Sequence, residues 1–257
     1  MRRLQPFSHL ILRLSKDGVF ATLKLREPMT SYVITPPPVA SLAIDGTTDR
    51  FPVRRIICVG RNYEAHAREM GKDPTRDKPF FFMKPADAIM PDGATVPYPP
   101  LTSNLHYEIE LVLVIGKEGA DIPEEKALEH VWGYAVGIDL TRRDLQNTAK
   151  DNGHPWEWGK AFDHSAPIGP VYPAAKVGHP AKGRIWLAVN GKVKQDQDIA
   201  DLIWDVPEII SICSKAMVLK PGDIIMTGTP SGVGAIVKGD KVTGGVAGLG
   251  EIAITIS

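Results

Sequence analysis

Leu105-His106-Tyr107-Glu108-Ile109-Glu110-Leu111-Val112-Leu113-Val114-Ile115 is the stretch whose reading decides the fold. It first alternates and then runs apolar, and Gly116 follows it. A run of this length and β-branched content reads as one long, largely buried strand. Residues two apart on a strand project from the same face about 7 Å apart. Glu108 and Glu110 therefore leave this hydrophobic segment together. They are either the solvated face of an edge strand or a buried carboxylate pair that needs a cation.

The segments on either side carry the same strand-rich signal. Ile56–Val59 is an apolar strand running into Gly60; Asn62 then suits an N-cap, Tyr63–Met70 a short helix, and Gly71 its C′ stop. Phe80–Met83 reads as a strand ending at Lys84-Pro85, and residues 92–100 as turns. Pro123–His130 suits a short helix, Val131–Ile138 a strand and Leu140–Asp151 a helix, followed by the aromatic loop Trp156–Trp158. Asn190-Gly191 between Ile185–Val189 and Lys192–Gln195 is a strong hairpin signal. Val206–Met217 has helical periodicity, Lys220-Pro221-Gly222-Asp223 turns into the strand Ile224–Thr227, and Asp240–Val242 and Ile252–Ile256 close the chain. The 24 glycines and 22 prolines supply the turns that so many short strands require. The expected class is α+β and β-rich, with no repeat and no linker after residue 55.

Upstream, Thr35-Pro36-Pro37-Pro38 cannot be helix interior, and Val39–Ile44 with the Asp45-Gly46 turn makes 29–55 an extended lead-in of short strands. Residues 56–257 are expected to form the catalytic domain. Met1–Pro28 is basic and reads differently. Arg13 breaks the apolar run His9–Leu12 and no small-residue cleavage site follows, which argues against a secretory signal. A disordered extension, a start-site artefact with Met29 as the working start, or a mitochondrial presequence all remain open.

Lys+Arg and Asp+Glu are equal at 30 each, so no excess charge draws the chain to nucleic acid or an anionic membrane. No run approaches the ~20 apolar residues of a membrane span. Cys58 and Cys213 lie far apart among apolar neighbours, the pattern of reduced thiols in a cytoplasmic protein.

Several side chains could carry chemistry. Oxygen-only ligation by Glu108 and Glu110 selects a hard cation, Mg²⁺ or Mn²⁺ with Ca²⁺ as a further option, over Zn²⁺. Asp139 follows the strand Tyr134–Ile138, where a strand terminus can face a cleft. If the next segment is helical, Asp139, Arg143 and Gln146 share a face as metal ligand, guanidinium and amide donor, or as an N-cap with solvated neighbours. His66 and Glu69 are i, i+3 neighbours on the short helix, so the carboxylate can orient the imidazole as a general base; a surface pair is the alternative. Lys160, among aromatics and glycine, suits a substrate carboxylate or enolate, or a snorkelling side chain. Thr227-Gly228-Thr229-Pro230-Ser231-Gly232-Val233-Gly234 lacks the Gly-Lys-Ser/Thr of a P-loop and reads as an anion-binding or a structural turn.

In this order, Gly60–Glu69, the Phe-Phe-Phe-Met-Lys-Pro segment 80–85, Tyr107–Leu111, Gly133–Gln146, Gly159–Phe162 before Ala166–Pro170, and Leu219–Asp223 through Gly234 resemble the fumarylacetoacetate hydrolase family. The resemblance runs from about Arg55 to the C-terminus. From Ser31 onward the chain is most similar to the bacterial fumarylpyruvate hydrolase branch, near acylpyruvate hydrolases and oxaloacetate decarboxylases. It implies a mixed β-sandwich roll, usually a homodimer, acting on a small 2,4-diketo acid. It implies Glu108, Glu110 and Asp139 as metal ligands, His66 and Glu69 as the water-activating pair, and Lys160 at the reacting centre. Arg143, Gln146 and Thr229 fall at substrate-contacting positions.

Overall fold

The computed structural model describes residues 31–69 and 78–257. The expectations for Met1–Pro28 and for the helix end at Met70-Gly71 lie outside these residues. Residues 31–38 carry no regular element, and Val39–Ser257 forms one compact unit.

Ile109–Ile115 lies at the centre of a six-stranded mixed sheet in the order Tyr172–Pro173, Val131–Ile138, Ile109–Ile115, Asp223–Met226, Arg55–Gly60, Phe80–Lys84. Only the Asp223–Met226 and Arg55–Gly60 pair is parallel. Apart from Glu110, the strand is apolar on both faces because both are covered. Ile109, Leu111, Leu113 and Ile115 face a core shared with Ile57, Val136, Ile185, Leu187, Val242 and Ile254. Val112 and Val114 turn the other way, to Ile56, Cys58, Leu42, Phe51 and Ile168.

The first core is closed by a five-stranded sheet in the order Lys192–Asp198, Arg184–Val189, Lys241–Val246, Glu251–Ile256, Thr95–Val96. Its hairpin turns at Asn190-Gly191, both with positive φ (50° and 78°), the backbone that this dipeptide favours. Helix Val206–Ala216 starts with a capping box between Asp205 and Glu208. The architecture is the expected α+β, β-rich roll. Both cysteines are free and buried.

Three local expectations are corrected. The long strand is interrupted at Glu108: Leu105–Tyr107 pairs with Thr141–Arg142 and Gly234–Ile236 in a separate small sheet, and only Ile109–Ile115 joins the central one. The helix after Asp139 begins at Arg143, because residues 141–142 are drawn into that small sheet. Asn62 does not spend its amide on the helix start. Its Nδ2 donates to Trp204 O (2.9 Å) and Thr227 O (2.8 Å), and its Oδ1 accepts from Trp204 N–H (2.8 Å). A fully buried amide has to satisfy both ends, and distant backbone does so here.

Candidate active site

The interruption at Glu108 lets the carboxylates converge. Ile109 is opposite Ile138, so Glu108 and Asp139 lie next to each other just beyond that pair. The Asp139 N–H donates to the Glu108 carbonyl (2.8 Å). Glu110 projects from the neighbouring strand position, and one oxygen from each of Glu108, Glu110 and Asp139 lies within 4.8 Å of the others. All three are buried, with Asp139 fully enclosed.

Three cations face them. Lys160 Nζ donates to Glu108 Oε2 (2.9 Å), Asp139 Oδ2 (2.7 Å) and Thr141 Oγ1 (2.6 Å). It is buried in full, which excludes the snorkelling alternative. Arg143 pairs with Glu108, and also donates to Gln146 Oε1 (2.5 Å) and His106 Nδ1 (3.3 Å). Lys84 Nζ donates to Leu140 O (3.1 Å) and Lys160 O (2.5 Å), and lies 2.8 Å from Asp139 Oδ1. That last contact is an ion pair without hydrogen-bond alignment, so Asp139 Oδ1 is buried without a hydrogen bond.

The electrostatics divide the triad. Burial raises the Glu108 pKa, but Lys160 and Arg143 outweigh it and hold the group well below the usual carboxylate range. Glu110 is pushed well up, first by burial and then by Asp139 and Glu108. Burial alone would lower Lys160, yet Asp139 and Glu108 raise it. A buried carboxylate oxygen without a hydrogen bond, beside two further carboxylates, fits a hard divalent cation with oxygen ligands.

His66, on helix Glu64–Glu69, opens on the same cleft as Glu108, Glu110, Arg143, Gln146, Lys160 and Thr229. Its Nδ1 is 3.2 Å from Glu69 Oε2, as the i, i+3 spacing requires. Glu69 also accepts from Gly232 N–H at 3.1 and 3.2 Å. Burial raises Glu69, but the bonds from His66 and Gly232 leave it below its ordinary value. The Gly/Thr turn is thus a structural partner of both acidic groups, since Gly228 N–H also donates to Glu110 Oε2 (2.8 Å). Thr229 Oγ1 accepts from Gln195 Nε2 (2.8 Å), which leaves its hydroxyl proton to donate.

The sequence-predicted residues all meet at this cleft except Glu69 and Asp139, which stand directly behind its lining. Four further participants are not among the sequence-predicted residues. Lys84 ends an apolar strand, and Gln195 is one polar residue in a polar hairpin arm. Arg61 and Lys150 line the cleft mouth, stacked 5.2 Å from the Phe80 and Trp156 rings respectively. Lys150 stands one helical turn beyond Gln146, so the 3.6-residue period could have found it. Burial, then Arg143 and Arg61, lower its pKa to about 8.

Three converging buried carboxylates, with an imidazole–carboxylate pair beside them in a β-rich roll, are the arrangement that the chain shares with a class of known enzymes. The family model described as fumarylacetoacetate hydrolase C-terminal matches residues 55–257. A fumarylpyruvate hydrolase of a Ralstonia species is 47% identical over 184 residues, 72% of this chain and 95% of that protein. The mitochondrial oxaloacetate tautomerase of Arabidopsis thaliana is 43% identical over 202 residues, 79% of this chain and 90% of that protein. Among solved structures, the fumarylpyruvate hydrolase of Pseudomonas aeruginosa in complex with Mn²⁺ and pyruvate is similar with a TM-score of 0.87 and 55% identity, covering 88% of this chain and 99% of that one. The chain belongs to the fumarylacetoacetate hydrolase family, as one of its hydrolases.

Proposed function

We propose that the protein hydrolyses the carbon–carbon bond of a 2,4-diketo acid, with 3-fumarylpyruvate going to fumarate and pyruvate in gentisate-type aromatic degradation. The observation that carries this reading is His66, bonded to Glu69 behind it and opening on the cleft that Glu108 and Glu110 line. Bond hydrolysis needs an activated water there, whereas enolisation alone does not. Glu108, Glu110 and Asp139 would hold the cation, Mg²⁺ or Mn²⁺ with Ca²⁺ a further option. When bound, it supplies Lewis-acid stabilisation of negative charge on the substrate's oxygens.

The chain's own residues supply the rest. His66, oriented by Glu69, takes a proton from water, and the water oxygen bonds to C4 of the diketo acid. Collapse of this adduct breaks the C3–C4 bond, its electron pair passing to the pyruvate half as the enolate. Lys160 favours that charge, and so does the Gln146 amide, whose oxygen is already engaged by Arg143. The proton held by His66 returns to C3, releasing pyruvate, and the acid product ionises in solvent. Arg143 and Thr229 bind the substrate's carboxylate and oxo groups. Arg61 and Lys150, stacked on aromatics with no acidic partner among the described residues, support an acyl group that itself ends in a carboxylate.

The 43% identity to an oxaloacetate tautomerase favours a second reading, enolisation or decarboxylation of oxaloacetate at the same site. Pyruvate release from fumarylpyruvate, maleylpyruvate and acetylpyruvate, measured beside oxaloacetate turnover with Mg²⁺ or Mn²⁺, separates the two. Fumarylpyruvate is expected to be cleaved fastest. Tautomerisation of oxaloacetate without cleavage of any acylpyruvate would replace the first reading by the second. The proposal includes a cytoplasmic homodimer, which sedimentation would test, with residues 29–55 as lead-in and 56–257 as the catalytic part. No helix among the described residues is long and apolar enough to cross a membrane.

A further inference from the structure

We propose that Gln195 is a positioning residue for the active site, tying the Glu108–Glu110 segment to the Thr229–Gly232 loop and, through that loop, to the His66–Glu69 pair. This rests on the metal-dependent reading of the cleft given above.

The need for such a residue arises at the strand interruption. The Glu108 carbonyl accepts from Asp139 N–H, towards Val131–Ile138. The peptide is trans, so the Ile109 N–H points the opposite way. On that side the neighbouring strand Asp223–Met226 is in register as far as Val112, and the last backbone bond runs from Thr227 N–H to Leu111 O (3.1 Å), short of Ile109. A buried N–H between two carboxylate-bearing residues would have no backbone acceptor. Gln195 Oε1 takes this bond at 3.0 Å.

The hairpin is built to deliver that side chain. Leu187 is opposite Gln195, but Ala188 is opposite Val193, so Lys194 is an inserted residue and the arm carries a β-bulge. Bulges re-aim side chains next to functional sites. Here Gln195 is fully buried on an arm whose other residues are exposed or half-exposed. Its Nε2 donates to Thr229 Oγ1 (2.8 Å) and to Pro230 O (2.7 Å), so both amide hydrogens and the oxygen are engaged. The bulge also seats the far end of the loop. A Cβ on Gly232 would lie 2.1 Å from Lys194 O, so the two backbones are in contact. Gly232 N–H is the donor to Glu69, and its carbonyl accepts from Tyr107 Oη (3.1 Å). One side chain and one bulge thus connect the carboxylate segment, the threonine of the loop and the anchor of the imidazole pair.

The test compares the full-length protein with Gln195→Met, which keeps length and volume but makes none of the three bonds, and Gln195→Glu, which keeps an acceptor for Ile109 N–H but loses the donors to the loop. Mn²⁺ affinity is read by electron paramagnetic resonance, and pyruvate affinity by titrating the Mn²⁺-loaded protein. KM and kcat for the acylpyruvate are measured in parallel. Gln195→Met is expected to weaken both Mn²⁺ and pyruvate binding, the latter about tenfold, the scale of one or two lost hydrogen bonds. Gln195→Glu is expected to keep the Mn²⁺ affinity of the wild type and to lose pyruvate affinity and kcat. A merely structural glutamine would lower the melting temperature and leave both dissociation constants unchanged, and that result overturns the proposal. Absence of acylpyruvate cleavage by the wild type would instead remove the proposed reaction, while the Mn²⁺ constants would still report on Gln195.

Discussion

Lys84 and Asp139 form an ion pair at 2.8 Å with both side chains wholly buried. Removing one partner of such a pair leaves the other charged without compensation, at a cost of about 3–5 kcal/mol. Lys84→Met is therefore expected to lower stability by about that amount in urea denaturation. A loss below about 1 kcal/mol would mean that Lys160 alone balances Asp139. Glu69 gives a pH-dependent prediction. Its pKa is lowered by His66 and Gly232 against the effect of burial. A carboxyl depressed on folding adds stability that is fully present above its unfolded value, about 4.3, and is lost as pH falls through the lower folded value. The melting-temperature difference between wild type and Glu69→Gln should therefore shrink as pH falls below about 4.3. A difference that does not shrink in that range would contradict the assignment. Glu69→Gln should also reduce kcat by about a hundredfold if the carboxylate orients the base.

At the scale of elements, the interruption at Glu108 and the bulge at Lys194 both depart from a regular ladder, and Gln195 beside the bulge bonds both to the interrupted segment and to Thr229 of the cleft lining. Gly232 joins them. Its φ of +95° and its contact with Lys194 O leave no room for a side chain. Gly232→Ala should lift the loop off the bulge and break the N–H bond to Glu69, with a kcat/KM loss of at least about tenfold. Steady-state kinetics together with the melting temperature would check this, and unchanged kinetics would show that the loop does not position Glu69. Some of these elements were legible in sequence. Asn190-Gly191 announces its turn, and His66 and Glu69 announce their pairing, because both depend on neighbours within a few residues. The Glu108 interruption was not legible, because residues 105–107 leave the central sheet only to pair with residues 141–142 and 234–236.

For the whole molecule, the proposed cation seat joins two adjacent strands of the central sheet and is closed by Lys84 from the sheet edge and Lys160 from a later helix. A ligand that binds only the folded state raises stability by about 2.7 kcal/mol at a hundred times its dissociation constant. Mg²⁺ or Mn²⁺ is expected to raise the melting temperature in proportion to the logarithm of its concentration. EDTA is expected to abolish acylpyruvate cleavage, and either ion to restore it. A melting temperature indifferent to both ions, in protein first stripped by EDTA, would remove the triad as the seat.

The sequence by itself determined the strand-rich class, the hairpin, the short helix with its imidazole–carboxylate pair and the acidic residues worth considering. These follow from periodicity and from contacts a few residues apart. Spacing left Glu108 and Glu110 open between a solvated face and a buried pair. Only the tertiary structure decided that, by bringing Asp139, Lys84, Lys160 and Arg143 to them from distant parts of the chain. It also supplied Gln195 for an N–H that no neighbour in sequence could satisfy. Burial and strand register are properties of the assembled sheets, and no local pattern encodes which remote charge will balance a buried one.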